Sequence, residues 1–329
     1  LQAGATNTAS VSCPSGMYAT SGGVRIDSVD QGRGALSDVD VLASGPSGNG
    51  ERSATIHNTT TGQAQTKVYV SCLAATTTSG AHQHGLAVTD TTPQTVTLAP
   101  GTRTVDLACP SGSLPVAPSY AIASGATSVV GSARTGTGWR FTTSSTSAGA
   151  GTFGVRCLAT RTTAAAGHTH DLVTTQVNDT LSLGAHATAQ TSLSCANEAK
   201  GVATSVTTDP GLTDLGTDPQ AKTRLFRFAN DTNAALSATV GLTCVEVRTT
   251  GEPVSTPLTN RATVSTTSTD TATADDTAAA TVTAYGEGFA IVPGSLASLR
   301  NVAGLARVSA DVRCASACTV TSTLVALGP

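Results

Sequence analysis

Two His-x-His pairs, His82 with His84 and His168 with His170, are the sharpest chemical signal in the sequence. On an extended segment residues i and i+2 share a face, so each pair offers two imidazoles together, a donor set that suits Zn2+ or Cu2+. A site needs at least one more ligand, and the other histidines, His57 and His186, do not recur in the same pattern. A second candidate set is acidic. Asp27, Asp30, Asp38 and Asp40, and further on Asp209, Asp214 and Asp218, stand among glycines, the setting in which clustered carboxylates hold Ca2+. Their spacing is not that of an EF-hand loop, and Asp is also a turn residue in its own right. Asn58, Asn178 and Asn230 each open an Asn-x-Thr glycosylation pattern. No cofactor is required by any of these patterns.

Catalysis finds no comparable support. The chain has no Gly-x-Ser-x-Gly elbow, no His-Glu-x-x-His and no phosphate-cradling glycine loop, and its cysteines are accounted for as disulfides. The expectation is a protein that is not an enzyme.

These residues sit in a repeat. Ala54 to Cys72, Trp139 to Cys157 and Phe226 to Cys244 align without a gap, each running from an apolar residue through a polar turn to a cysteine. Within each block the apolar residues alternate: Val68, Val70 and Cys72; Phe153, Val155 and Cys157; Val240, Leu242 and Cys244. Period two on either side of a turn predicts a hairpin with one buried face, and puts the cysteine on that face in every copy. The segment between blocks is also kept in register, since His84 and His170 each precede the next opening cysteine by 25 residues. The first repeat has only a remnant of this lead-in, Leu1 to Ser12, which predicts that a neighbouring molecule supplies the strand. Variable loops at residues 27–49, 123–138 and 209–220 are the places where a ligand would be read.

Eight cysteines pair by this layout as Cys13 with Cys72, Cys109 with Cys157, Cys195 with Cys244, and Cys314 with Cys318. Short Cys-x2-Cys zinc spacings are absent, so disulfides and an oxidising, extracellular compartment are expected. Each repeat closure would contribute about 4 kcal/mol in the chain-entropy model. That matters for a chain whose aromatic content is 3%. A net charge of -3 with scattered basic residues gives no reason to bind nucleic acid, and no apolar run is long enough to span a bilayer as a helix. Starting at Leu1 without Met suits a secreted chain after removal of a signal peptide.

The fold class expected is all-β: tandem disulfide-locked β-sandwich repeats of about 86 residues, Ig-like or jelly-roll-like, plus a divergent C-terminal β domain. The divisions expected are residues 1–80, 81–165, 166–256 and 257–329. The likeness to immunoglobulin sandwiches is architectural, resting on strand count and on a disulfide joining early and late strands. The one tryptophan, Trp139, lies upstream of the closing strand rather than where that pattern puts it. The function expected is a structural subunit of an extracellular or cell-surface filament that polymerises with itself, its apolar strand Thr319 to Leu327 docking in a partner's sheet. Two alternatives stand beside it: a monomeric adhesin binding a glycan or surface ligand through the variable loops, and metal capture by the His-x-His pairs.

Overall fold

A computed structural model describes residues 1–250 apart from 80–81, 123–125, 166–167, 197–198 and 221, and beyond 250 the backbone of strands alone. The chain is all-β, with one 3-10 turn among the described residues, at Leu36–Asp38. The first repeat contributes β1 (Thr6–Ser12), β2 (Met17–Val29), β3 (Val39–Pro46), β4 (Glu51–Asn58) and β5 (Ala64–Ala74). A small hairpin, β6 (Thr76–Ser79) and β7 (His82–Gly85), leads to β8 (Val88–Asp90) and β9 (Gln94–Leu98). The second repeat follows with β10 (Gly101–Ala108), β11 (Ser113–Ile122), β12 (Thr127–Thr135), β13 (Gly138–Ser145) and β14 (Gly149–Ala159). The long β15 (Thr169–Leu183) then leads into β16 (Thr188–Ser194), β17 (Lys200–Thr208), β18 (Leu212–Gln220), β19 (Thr223–Asn230) and β20 (Leu236–Thr250) of the third. The C-terminal region adds β21 (Thr256–Thr263), β22 (Thr277–Ala284), β23 (Phe289–Ile291), β24 (Arg300–Val302), β25 (Leu305–Arg307), β26 (Val312–Cys314) and β27 (Val320–Leu324).

Contacts divide the chain into two compact units, the larger made of the three repeats and the other containing the C-terminal region. In the second unit β21, β22 and β27 form one antiparallel sheet, with β21 at its edge, and β23 pairs with β26 and β24 with β25.

The larger unit is sandwich-like in its layers, yet every sheet draws on two repeats. One sheet runs β1-β4-β3-β11-β14 and is continued by β8 and β9, the next runs β10-β13-β12-β17-β20-β15, and the third β16-β19-β18-β2-β5. Thus β3 of the first repeat meets β11 of the second, β12 meets β17, and β18 returns to β2. The third junction closes the set at Gly216, paired with Arg25. Gly216 has φ +100°, and a Cβ there would collide with the Val24 carbonyl, so only glycine lets the last repeat reach the first. Strands β2, β11 and β17, which are equivalent in the three repeats, touch one another.

Alternation explains what is buried. Trp139, Phe141, Phe153, Phe226 and Phe228 are fully buried, on the apolar face read from the sequence. Phe141 and Phe153 pack with ring centroids 5.1 Å apart. Three disulfides form as expected, Cys13–Cys72, Cys109–Cys157 and Cys195–Cys244. The fourth pairing, Cys314 with Cys318, lies outside the residues whose side chains are described, as does the docking role read for Thr319 to Leu327.

Candidate functional site: the open edge of β5

The return strands of the three repeats are equivalent in position, but not in surroundings. Strand β14 is covered by the lead-in strands β8 and β9: Leu98 stands opposite Gly149, and Thr89 opposite Cys157. Strand β20 is covered by β15, where the Ser182 and Thr180 hydroxyls meet those of Ser237 and Thr239. That register sets Leu183 opposite Leu236, eight residues before Cys244, as Gly149 is eight before Cys157. Strand β5 pairs with β2 on one side. On the other side the equivalent of Gly149 is Ala64, and its partner is Leu1: the Leu1 ammonium donates to Ala64 O at 2.8 Å and Ala64 N–H donates to Leu1 O at 2.9 Å. Leu1 therefore takes the place of Leu98 and Leu183. Beyond it, β5 has no strand on this edge among the described residues.

The missing cover changes what the apolar face sees. Phe153, Val155, Cys157, Val240, Leu242 and Cys244 are buried to 2% exposure or less. Their counterparts Val68 and Val70 are only half-buried, and Cys72 is exposed. The sequence reading put a cysteine in the core of each repeat. It holds for Cys157 and Cys244 and fails for Cys72, over which no strand lies among the described residues.

Asparagines at two matching turns hold the lead-ins in place. Asn58 is fully buried, and its amide donates to Leu1 O, Gln2 O and Gly62 O at 3.2, 3.0 and 2.9 Å. Its Oδ1 accepts from the Thr60 amide and hydroxyl. Asn230, 1% exposed, repeats the arrangement on Leu183 O, Gly184 O and Ala234 O, with Thr232 serving its Oδ1. Their nitrogens are engaged inside the fold, so Asn58 and Asn230 are turn locks here and do not present a site for glycan. Asn178 is exposed on β15.

The carboxylates read as calcium ligands do not converge. Asp27 and Asp218 both pair with Arg25, and Lys67 and Arg227 lie 3.4 and 3.6 Å from Asp27. Burial alone would raise the Asp27 pKa, but the Arg25 hydrogen bond and charge bring it below the ordinary value. Asp30 accepts from the Gln63 amide, Asp38 from the Ala35 amide and Asp209 from the Ser237 amide, each tying a turn. Asp40 is half-buried, with its pKa raised by desolvation. Asp214 lines a cavity of about 510 Å3 and accepts from the Gly216 amide at 2.8 Å.

Of the histidines, His84, His168 and His170 are buried. The His84 and His168 rings lie 4.6 Å apart, centroid to centroid. The side chain of His82 lies outside the described residues.

One ion pair, made by a buried arginine, gave no signal in the sequence. Arg156, 2% exposed on β14, pairs with Asp90 of β8 and donates through Nη1 to Ala19 O and Asn49 O, joining the first two repeats. Only the parity of Arg156 hints at it, since Arg156 lies next to two core residues within a strand. Comparison with protein-family models and with curated proteins finds no match to this chain.

Proposed function

We propose that the protein is a secreted, non-enzymatic structural subunit that assembles with copies of itself by adding a β-strand to β5. The observation that carries this is the contrast between Cys72, exposed, and Cys157 and Cys244, buried under a lead-in strand. An open edge presents unpaired backbone groups and, here, a half-covered apolar face, both of which an added strand would satisfy. The occupant proposed is a strand of a second copy. The chain carries the cover pattern once more: Val88, Val96 and Leu98, then Val173, Leu181 and Leu183, then Val254, Ala262 and Val264, with spacings of eight and two each time. The last of these segments overlaps β21, an edge strand of its own sheet. The three disulfides fit an extracellular setting.

Electron microscopy and light scattering of the natively secreted protein test the reading. Filaments with a regular subunit repeat, and a mass that grows with concentration, are the expected result. A particle that stays monomeric at all concentrations and binds a glycan or surface protein through its variable loops would instead make it an adhesin.

A second reading rests on the histidines. The buried His84 and His168, with ring centroids 4.6 Å apart, offer two donors of the kind that Zn2+ or Cu2+ takes. Titration with Zn2+ would show one equivalent bound, lost in a variant with His84, His168 and His170 replaced by Gln. Retention of the metal in that variant would end this reading.

A further inference from the structure

The cavity at the meeting of the three repeats is built from equivalent positions that have diverged in chemistry. Eleven residues after each opening cysteine stand Val24, Tyr120 and Val206, on β2, β11 and β17, and all three line the cavity. A second set of equivalents, paired with Ile56, Phe141 and Phe228 of the hairpin strands, is Val41, Ser132 and Asp214, and these line it too. Three of the six positions are valine and a fourth is serine. Tyr120 and Asp214 are the exceptions, and they lie close enough for the carboxylate to act electrostatically on the phenol.

Arg52 adds a cation to a lining that also holds Asp40. It lines the same cavity, is 4% exposed, and packs its Cδ against Gly22. Its Nη2 donates to Ser44 Oγ at 2.9 Å, its Nε has no acceptor, and it forms no ion pair among the described residues. Burial lowers its pKa to about 10, so the guanidinium stays charged at neutral pH. A buried cation without a counter-ion is costly, as is a phenol or a carboxylate where the fold accepts valine. At the positions of Tyr120 and Asp214 the other repeats have valine or serine, whereas the position of Arg52 holds the buried Arg224 in the third repeat.

We infer that this cavity is a binding site for a small organic anion bearing hydroxyl or amino groups, its carboxylate facing Arg52 and its donors reaching Asp214 and the Tyr120 hydroxyl. The anion supplies the missing counter-charge. The hydrogen-bond donors satisfy the carboxylate that stands in place of valine. A volume of about 510 Å3 admits a molecule of the size of a sugar acid or an acidic amino acid.

The test is a thermal-shift and calorimetric panel on the intact protein with gluconate, L-glutamate and citrate, against acetate, glycerol and NaCl at equal ionic strength. Gluconate or glutamate is expected to raise the melting temperature and to bind with a stoichiometry of one. Arg52→Gln should lose the shift. Asp214→Val restores the residue found in the first repeat, so it should fold, melt higher than the parent without ligand, and bind at least tenfold more weakly. The inference fails if no member of the panel shifts melting beyond the NaCl control. It fails equally if the shift survives in both variants.

Discussion

Leu1 and Ala64 exchange both of their backbone hydrogen bonds, at 2.8 and 2.9 Å, a rung equivalent to those that β9 and β15 make along the other two return strands. Everything proposed for β5 follows from the edge beyond that rung, where no strand lies among the described residues. A synthetic peptide spanning Val254 to Val264 should bind β5 and block assembly, whereas a scrambled peptide of the same composition should not. Assembly that is indifferent to the peptide, measured by light scattering, would remove that segment as the added strand.

Exposure should also rank the disulfides. Cys13–Cys72 is open to solvent at Cys72, whereas Cys157 and Cys244 are 1% and 0% exposed. Thiol attack needs access to sulfur. Under mild reductant, alkylation followed by peptide mass mapping should therefore label Cys13 and Cys72 first. In assembled material that labelling should fall, because an added strand would lie over Cys72.

The asparagine locks predict a stability pattern. Removing the amide of Asn58 or Asn230 strips several buried carbonyls of their donor, each worth ~1–3 kcal/mol when left unsatisfied. Asn58→Ala and Asn230→Ala should each destabilise by about 3 kcal/mol or more in urea unfolding, on the same principle. Asn178→Ala, at an exposed site, should fall within about 0.5 kcal/mol of the parent.

Asp214 predicts a pH dependence with a definite sign. Desolvation raises its pKa to about 6 in the fold, so the folded state holds this proton more tightly than the unfolded chain. Its contribution to stability is full below the ordinary carboxylate pKa and is lost as pH rises through about 6. The groups sharing the cavity are Tyr120, Arg52 and Asp40; Tyr120 stays protonated and Arg52 charged throughout this range, and Asp40 is shifted in the same direction as Asp214. The melting temperature of Asp214→Val minus that of the parent should grow between pH 4 and pH 7. A difference that stays flat would contradict the placement of the carboxylate.

Much of the fold was legible in the chain because its signals are local. Alternation around Phe153, Val155 and Cys157 marks a strand with one buried face, and the gap-free recurrence of that block fixes the three disulfide partners. The joining of repeats was not legible. The contact of β3 with β11 involves Tyr120 with Ser44 and Ala121 with Ala43, and that of β18 with β2 is a single pairing at Gly216. Neither leaves a periodic trace. The same holds for the cavity: Asp214 reads as one more acidic turn residue until β18 is laid beside β3 and β12. Asn58 and Asn230 match a glycosylation pattern and a turn lock equally well on paper, and only burial separates the two. The exposure of Cys72 was not legible, because it required knowing what lies over Cys157 and Cys244.

The return of β18 to β2 sets a limit that stacked repeats do not have. A solenoid lengthens by inserting another copy, since each copy touches only its neighbours along a line. Here each repeat lends strands to the sheet of the next until the third hands back to the first, so the copy number is counted by the architecture itself. A fourth inserted repeat would have no junction to enter without prising Gly216 from Arg25, and a repeat excised alone would leave two half-sheets behind. Three is thus a property of the closure, and evolution can vary the loops freely while the tally stays fixed.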